Sequence, residues 1–284
     1  MAIGAMSAAN SPLSATKTEA RQTAQAYLNS RLTNSGNRAN EADSTFTIPN
    51  IDISSSFSAN VADRKNVAAQ IHTACTNSGF FTITGHSISE DTRQAILSQT
   101  ERFLQHLPRE KKESLHIKHS PYFRGWEPAE YTYVNPADWE GESVPETKEG
   151  FNWGYEDGLA ASGGDGTYVE LDGSRGARAN VWPAEGDLLG FYEGVREYYS
   201  QVLELARHLF RLFALSLGLE ETYFDAVTTH PGGIARLLYY PPSKSNDESN
   251  ALTIGLGAHS DYECFTILLS SSTPGLEILS PSNA

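Results

Sequence analysis

The stretch GAHSDYECFTI, residues 257–267, places His259 and Asp261 on either side of a single serine. Residues i and i+2 of an extended segment point to the same side, so the two side chains can face one cavity. A neutral imidazole and a carboxylate are also the ligand types of the facial triad that holds Fe(II) and leaves coordination positions open. We therefore predict that His259 and Asp261 are metal ligands, although the tripeptide alone also fits a polar turn between strands.

The segments around this pair have the composition of β-strands. Apolar runs at residues 252–258 and 264–269 predict a strand on each side of the pair. Residues 234–240 predict a further strand that carries Arg236 and Tyr240 on one face, and two prolines end it. The pair thus lies at the edge of a predicted sheet.

Upstream of these strands, the periodicity of apolar residues predicts a mixed region of helices and strands. The predicted elements are a strand at 46–51, a helix at 63–77, a strand at 80–84, a helix at 90–107, long loops at 120–183 and a scaffold helix at 185–217. The last helix is predicted from apolar residues at steps of three and four, beginning with Leu188, Tyr192 and Val195. Residues 1–44 are rich in Ala, Ser, Thr and Asn, which predicts a flexible extension, with a transit peptide as the alternative.

Short motifs follow one another along the chain in a definite order. They are IPNIDI (48–53), SGFFTITGHSI (78–88), YFRGW (122–126), TKEGF (147–151), NVWP (180–183), RLLYYPP (236–242), GAHSDYECFTILL (257–269) and PGLEIL (274–279). This order resembles that of the isopenicillin-N-synthase-like non-haem Fe(II), 2-oxoglutarate-dependent oxygenases. The YECFT and NVWP variants resemble those of fungal members, and the resemblance spans residues 46–284.

The resemblance implies an α+β fold with a double-stranded β-helix, or jelly-roll, core. It divides the chain into a flexible extension at 1–44, an α/β region with substrate-side loops at 45–180, and the scaffold helix with the iron-binding core at 181–284. It also implies a second His ligand and an Arg-x-Ser pair after Asp261. No histidine follows Asp261 in the sequence. We therefore expect a shortened form of a longer oxygenase, which lacks the final core strands.

In function, the resemblance implies oxidation of a small organic molecule in secondary metabolism or catabolism. The implied cofactor is Fe(II), with 2-oxoglutarate and O2 as cosubstrates and ascorbate as an optional reductant. The implied reactions are hydroxylation, desaturation and cyclisation. Two alternatives stay open: a 2-oxoglutarate-independent oxidase of the same fold, and a truncated binding protein without catalysis.

Four residues are candidates for contacts with cosubstrate or substrate. The resemblance implies that Tyr240 contacts a carboxylate of 2-oxoglutarate or of substrate; alternatively, its hydroxyl meets a backbone group. Arg124 can pair with a substrate carboxylate or stack on Trp126. Phe151 and Arg236 are the other substrate-side candidates, and Arg236 can instead pair with an acid inside the barrel.

Charged residues elsewhere in the motifs have simpler interpretations. The adjacent Lys148 and Glu149 are interpreted as a solvated or loop-tethering ion pair. Glu263 is a candidate for a hydrogen bond to a metal ligand, with a solvated turn acid as the alternative.

The composition argues against several other classes of protein. The 284 residues carry a net charge of −14, which disfavours binding to nucleic acid or to an anionic membrane. The two cysteines lack metal or redox spacing, and no apolar run has the length of a membrane span. We therefore expect a monomeric, cytoplasmic protein whose partner is a small molecule.

Overall fold

The strands of the described residues form two sheets. In the computed structural model of the chain, the described residues are 47–132, 145–156, 158–159, 180–228, 233–242, 255–257, 259, 261 and 264–278. Strands β1 (Asn50–Asp52) and β2 (Thr82–Thr84) pair in parallel. Strands β3 (Gly125–Glu127), β4 (Glu149–Gly154) and β5 (Ile234–Tyr239) form an antiparallel sheet in that order.

Local capping residues fix where the helices begin and end. The α-helices are α1 (Val61–Asn77), α2 (Glu90–Glu101), α3 (Arg109–Glu113) and α4 (Phe191–Ser216), and 3-10 turns lie at Ser54–Phe57, Ile117–His119 and Asp225–Val227. The side chains of Asn60 and Ser89 accept backbone hydrogen bonds at the first turns of α1 and α2. Helix α1 is followed by Gly79 at φ +74°, a conformation that glycine adopts without strain.

Helix α2 widens at its end into a π-helical turn, Arg102–His106. The turn closes where the N–H of Leu107 donates to the carbonyl of Arg102 over 2.9 Å. Pro108 comes next, and a proline disfavours helical backbone at the residue before it. The turn carries Phe103, whose side chain is fully buried.

Helix α4 joins two hydrophobic cores. Its apolar residues recur at steps of three and four and form one buried stripe. The first core includes Phe103, Phe151, Trp153 and Phe191, and the second includes Ile51, Ile71, Leu209 and Leu212. Both cores therefore depend on one 26-residue helix. Within the described ranges, neither α4 nor any other helix combines the length and apolar character that a bilayer span needs.

The three-stranded sheet has two chemically different faces. Phe151 and Trp153 of β4 pack on aromatic residues of α4. The residue between them, Asn152, lies on the opposite face, where the strand register sets it beside Arg236 of β5. Apolar side chains thus hold the sheet on α4, whereas polar side chains occur on the face turned away from it.

Most of the predicted elements are confirmed, with shifted bounds. The strands predicted at 46–51, 80–84 and 234–240 correspond to β1, β2 and β5, and the helices predicted at 63–77, 90–107 and 185–217 correspond to α1, α2 and α4. The mixed helix and sheet content expected of the α+β class is confirmed as well. The predicted extension at 1–44 lies outside the described residues.

Two expectations about strands are wrong. Residues 120–183, expected to be loops, contain β3 and β4. These strands are short and rich in glycine, so their composition indicated loops. The strand expected at 264–269 is absent, because no described residue from 264 to 278 pairs with another strand. Of the strand expected at 252–258, only residues 255–257 are described, and they are not extended in a sheet.

Candidate metal centre

The structure brings the two predicted metal ligands together. His259 Nε2 lies 3.6 Å from Asp261 Oδ1, and the two side chains are 53% and 51% exposed. This separation is longer than a hydrogen bond. Two bonds of about 2.1 Å, a length typical of a divalent metal with imidazole or carboxylate, can bridge it.

A backbone contact sets the protonation pattern of the His259 ring. His259 Nδ1 lies 2.8 Å from the carbonyl oxygen of Gly257. A carbonyl oxygen can only accept a hydrogen bond, so the proton of the neutral ring is on Nδ1. Nε2 then carries a free lone pair, and this lone pair is the one beside Asp261.

The carboxylate of Asp261 is also held by a neighbour. The hydroxyl of Thr266 donates to Asp261 Oδ2 over 2.5 Å, which leaves Oδ1 for His259 or for a metal ion. Hydrogen bonds of this kind orient ligands in metal sites. Nε2 and Oδ1 therefore fit two of the protein ligands of an Fe(II) site. In the described part of the chain, no third His, Cys, Asp or Glu joins them.

A buried polar cluster lies behind the segment that leads to His259. We call it the Lys148 cluster; it consists of Glu127, Thr132, Glu146, Lys148 and Asn152. The Lys148 ammonium donates to Glu127 Oε1 at 3.0 Å, to Glu146 Oε2 at 2.8 Å and to Thr132 Oγ1 at 2.5 Å. Asn152 donates to the second oxygen of Glu127 at 3.1 Å. All three ammonium protons therefore have acceptors, as a buried charge requires.

The Lys148 cluster holds the segment 255–257 through two backbone contacts. The N–H of Gly257 donates to Glu146 Oε1 over 3.0 Å. The N–H of Lys148 donates to the carbonyl of Gly255 over 3.2 Å. Burial alone would raise the pKa of Glu146, but the hydrogen bonds from Lys148, Gly257 and Thr132 hold that pKa below its ordinary value. Glu146 is therefore an anion at neutral pH.

Tyr240 lies beside this segment. A Cβ atom placed on Gly255 would come within 2.9 Å of Tyr240 Cδ1, so the ring fits closely against the glycine. Burial raises the pKa of the Tyr240 hydroxyl, with Lys148 opposing the rise and Glu146 adding to it. The hydroxyl thus keeps its proton at neutral pH and can donate a hydrogen bond to a carboxylate.

The three predicted substrate-side residues have different environments. Arg236 is exposed on β5. Arg124 is buried, and its guanidinium lies directly over the backbone of Gly154. Phe151 is fully buried between the rings of Phe103 and Phe191. The structure thus brings Tyr240 near the His259 segment and puts Phe151 in the core; substrate roles for Arg124, Phe151 and Arg236 stay predictions.

The polar residues around the site were not predicted from the sequence. The expected Lys148–Glu149 ion pair is wrong, because Lys148 pairs with Glu127 and Glu146. Glu149 instead accepts from Lys112 and from the Trp126 indole, both at 2.6 Å. Lys148 and Glu149 follow one another along the extended chain and so point to opposite faces. This alternation of faces was the sequence signal that Lys148 and Glu149 do not pair with each other. Glu263, the expected partner of a ligand, lies outside the described residues.

Two family models match the chain on either side of α4. The model described as non-haem dioxygenase in morphine synthesis N-terminal matches residues 48–185. The model of the 2OG-Fe(II) oxygenase superfamily matches residues 231–283, which include His259 and Asp261. A 2-oxoglutarate-dependent dioxygenase of Didymella fabae is 31% identical over 83% of this chain and 69% of its own length. The chain belongs to the 2-oxoglutarate- and Fe(II)-dependent oxygenase family.

One further relative is similar in sequence, and one solved structure is similar in fold. The 2-oxoglutarate-Fe(II) type oxidoreductase hxnY of Emericella nidulans is 34% identical over 81% of this chain and 63% of its own length. A full-length Neurospora crassa protein, crystallised in complex with alpha-KG and thymine, is 26% identical, with a TM-score of 0.53 over 71% of this chain and 57% of that chain. The chain thus spans less than two thirds of either protein.

Proposed function

We propose that this oxygenase-family chain binds Fe(II) and 2-oxoglutarate and oxidises a small organic molecule. The observation that carries the proposal is the pairing of the His259 Nε2 lone pair with Asp261 Oδ1 at 3.6 Å. Both atoms are electron donors, and a cation between them would relieve their repulsion. The proposed architecture is a jelly-roll core to which β3, β4 and β5 contribute; the similarity to the Neurospora crassa thymine complex supports it.

His259 and Asp261 would hold the iron through Nε2 and Oδ1. Bound Fe(II) supplies the activation of O2 that protein side chains cannot perform. The surrounding residues orient these ligands: the Gly257 carbonyl fixes the Nδ1 proton of His259, and Thr266 fixes one oxygen of Asp261. We assign Tyr240 to a carboxylate of 2-oxoglutarate, because its protonated hydroxyl and its place beside Gly255 fit that role.

Arg236 is the best supported substrate-side residue. Arg236 is exposed on β5, and its guanidinium can form two hydrogen bonds with an anionic or carbonyl-rich molecule. The thymine bound to the Neurospora crassa protein is a small molecule of this kind on a related fold. A small fungal metabolite is therefore the proposed substrate class, and Arg124 and Phe151 are retained as secondary candidates.

An anaerobic titration of the full 284-residue chain with Fe(II) and 2-oxoglutarate tests this function. We expect the weak visible charge-transfer band that chelation of 2-oxoglutarate to Fe(II) gives. His259→Ala should abolish the band, because it removes one of the two ligands. The matched control is His72→Ala, which removes an exposed imidazole from α1. Absence of the band in the unaltered chain, or its survival in His259→Ala, would contradict the proposal.

A further inference from the structure

The Lys148 cluster carries a desolvation cost, so its presence is not explained by a gain in folding stability. It buries one ammonium and two carboxylates, with the Lys148 and Glu127 side chains 4% and 6% exposed. Desolvating such groups costs several kcal/mol, and apolar residues of similar volume often stabilise a protein at least as well. Stability alone therefore does not account for these buried charges, and the partners of their hydrogen bonds indicate what the cluster does.

The two oxygens of Glu146 have different partners. Oε2 accepts from Lys148 at 2.8 Å and from Thr132 at 2.7 Å, so this oxygen is held inside the cluster. Oε1 accepts from the backbone N–H of Gly257 at 3.0 Å. The carboxylate thus connects the buried ammonium to a peptide group that lies two residues before His259.

Gly257 passes this restraint on to the imidazole. Its N–H is held by Glu146, and its carbonyl accepts the Nδ1 proton of His259 at 2.8 Å. A hydrogen bond to the N–H side of a residue and one to its carbonyl side fix the position of that residue. The contacts form a continuous series from Lys148 through Glu146 and Gly257 to His259. Hydrogen bonds within such a series polarise and so strengthen one another.

We propose that Glu146 is a positioning residue for His259, which acts through Gly257 to keep the proton on Nδ1 and to present Nε2 to the metal. This proposal rests on the proposed function for its consequence in iron binding, but the effect on the tautomer of the metal-free ring does not depend on iron. Lys148 holds Glu146 as an anion in the position where Oε1 meets the Gly257 N–H.

The first measurement is the tautomer of His259 in the metal-free, 15N-labelled chain of 284 residues. Two-bond 1H–15N correlation spectra distinguish Nδ1–H from Nε2–H in a neutral ring, and His259→Gln assigns the signal. At about pH 8.5, two pH units above the ordinary imidazole pKa of about 6.5, we expect the Nδ1–H form in the unaltered chain. In Glu146→Ala we expect a mixture with Nε2–H, because the Gly257 carbonyl is no longer held in place.

The second measurement is the dissociation constant of Fe(II) in the same variants. Loss of a residue that orients a metal ligand weakens binding by roughly 10- to 100-fold, and we expect Glu146→Ala to fall in this range. Glu146→Gln is a more conservative variant. Its one carbonyl oxygen would face Lys148, and its NH2 group would face the Gly257 N–H and could not accept a hydrogen bond from it. We expect the same tautomer change in Glu146→Gln with a smaller loss of thermal stability.

Glu149→Ala is the matched control. It removes a partly buried glutamate at the start of β4, three residues after Glu146, which pairs with Lys112 and Trp126 rather than with segment 255–257. It removes the carboxylate that pairs with the buried Lys112 ammonium and leaves the Leu104 carbonyl as an acceptor, so it should lower the melting temperature at least as much as Glu146→Ala. A merely structural role for Glu146 predicts equal effects of both variants on the His259 tautomer and on iron affinity.

The outcomes separate the two proposals. A His259 tautomer that is unchanged in Glu146→Gln and Glu146→Ala, or changed as much by Glu149→Ala, overturns the positioning role. A tautomer that changes only in the Glu146 variants, in a chain that binds no Fe(II), supports the positioning role and counts against the proposed function. A changed tautomer together with weakened Fe(II) binding supports both.

Discussion

At the residue scale, the site depends on how polar atoms share protons. The Gly257 carbonyl accepts a hydrogen bond from His259 Nδ1, and the Thr266 hydroxyl donates to Asp261 Oδ2. Each of the two candidate ligands thus has one atom held by a hydrogen bond and one atom available to a metal ion. Because the ligand side chains are half exposed, these hydrogen bonds rather than packing restrict their rotation.

Thr266→Val should weaken Fe(II) binding by about 10-fold, because Asp261 would lose the hydrogen bond that orients it. Thermal stability should change little, since Thr266 is exposed and surface substitutions usually alter the free energy of unfolding by less than about 0.5 kcal/mol. Anaerobic Fe(II) titration and a thermal melt measure the two quantities. The control is Thr273→Val, an exposed threonine in the same described segment. Equal iron affinity in both variants would show that the Thr266 hydrogen bond has no part in metal binding.

At the element scale, β4 shows what the sequence could and could not predict. Periodicity predicted α4, since its stripe of apolar residues extends over 26 residues. The six residues of β4 were missed, because two glycines and an asparagine surround its two aromatic residues and this composition indicated a loop. The His259–Asp261 pair was predictable from local spacing. The hydrogen bond that Gly257 donates to Glu146 joins residues 111 positions apart, and no local sequence pattern predicts a contact of that kind.

Helix α4 also carries a partly buried histidine, His208, that ties it to the N-terminal region. His208 Nε2 lies 2.6 Å from Ser56 Oγ, and the imidazole stacks on Phe57 with ring centroids 4.2 Å apart. Ser56 donates its own proton to the carbonyl of Ile53, so its oxygen accepts from His208. Burial lowers the pKa of His208, Arg211 and Arg64 lower it further, and Glu221 opposes them.

A lowered pKa makes His208 a source of acid sensitivity. The folded state disfavours the protonated ring, so the stability is complete above the unfolded-state pKa of about 6.5 and is lost as the pH falls through the lower folded-state pKa. Each unit of lowering corresponds to about 1.4 kcal/mol of stability lost in acid. His208→Gln should therefore show a smaller drop in the free energy of unfolding than the unaltered chain when urea titrations are compared above and below this range. The exposed His72→Gln is the control, and equal drops in both variants would exclude His208 as the cause.

At the scale of the whole molecule, α4 couples the two cores. Its first half packs with the three-stranded sheet near the candidate metal site, and its second half packs with α1 and the sheet of β1 and β2. A helix forms cooperatively along its length. Loss of either core should therefore destabilise the helix that the other core needs.

Phe151→Ala in the first core and Leu212→Ala in the second should each lower the free energy of unfolding, by about 3–5 and 2–5 kcal/mol respectively. Both side chains are fully buried, so both substitutions leave cavities. Calorimetry should show one transition at a lower temperature in each variant, because both cores share α4. Leu189→Ala removes an exposed leucine as the control. Two separate transitions in either core variant would show that the cores unfold independently.

The Lys148 cluster also has a consequence for protein engineering. Apolar replacements of buried ion pairs are often neutral or stabilising, by about 1–4 kcal/mol. A library selected only for heat tolerance would thus accept apolar residues in place of Glu127, Glu146 and Lys148. The selected variants would keep the fold and lose the carboxylate that accepts the hydrogen bond from the Gly257 N–H. Heat tolerance and iron affinity would then diverge in the same clones, so a screen on this scaffold has to select for both.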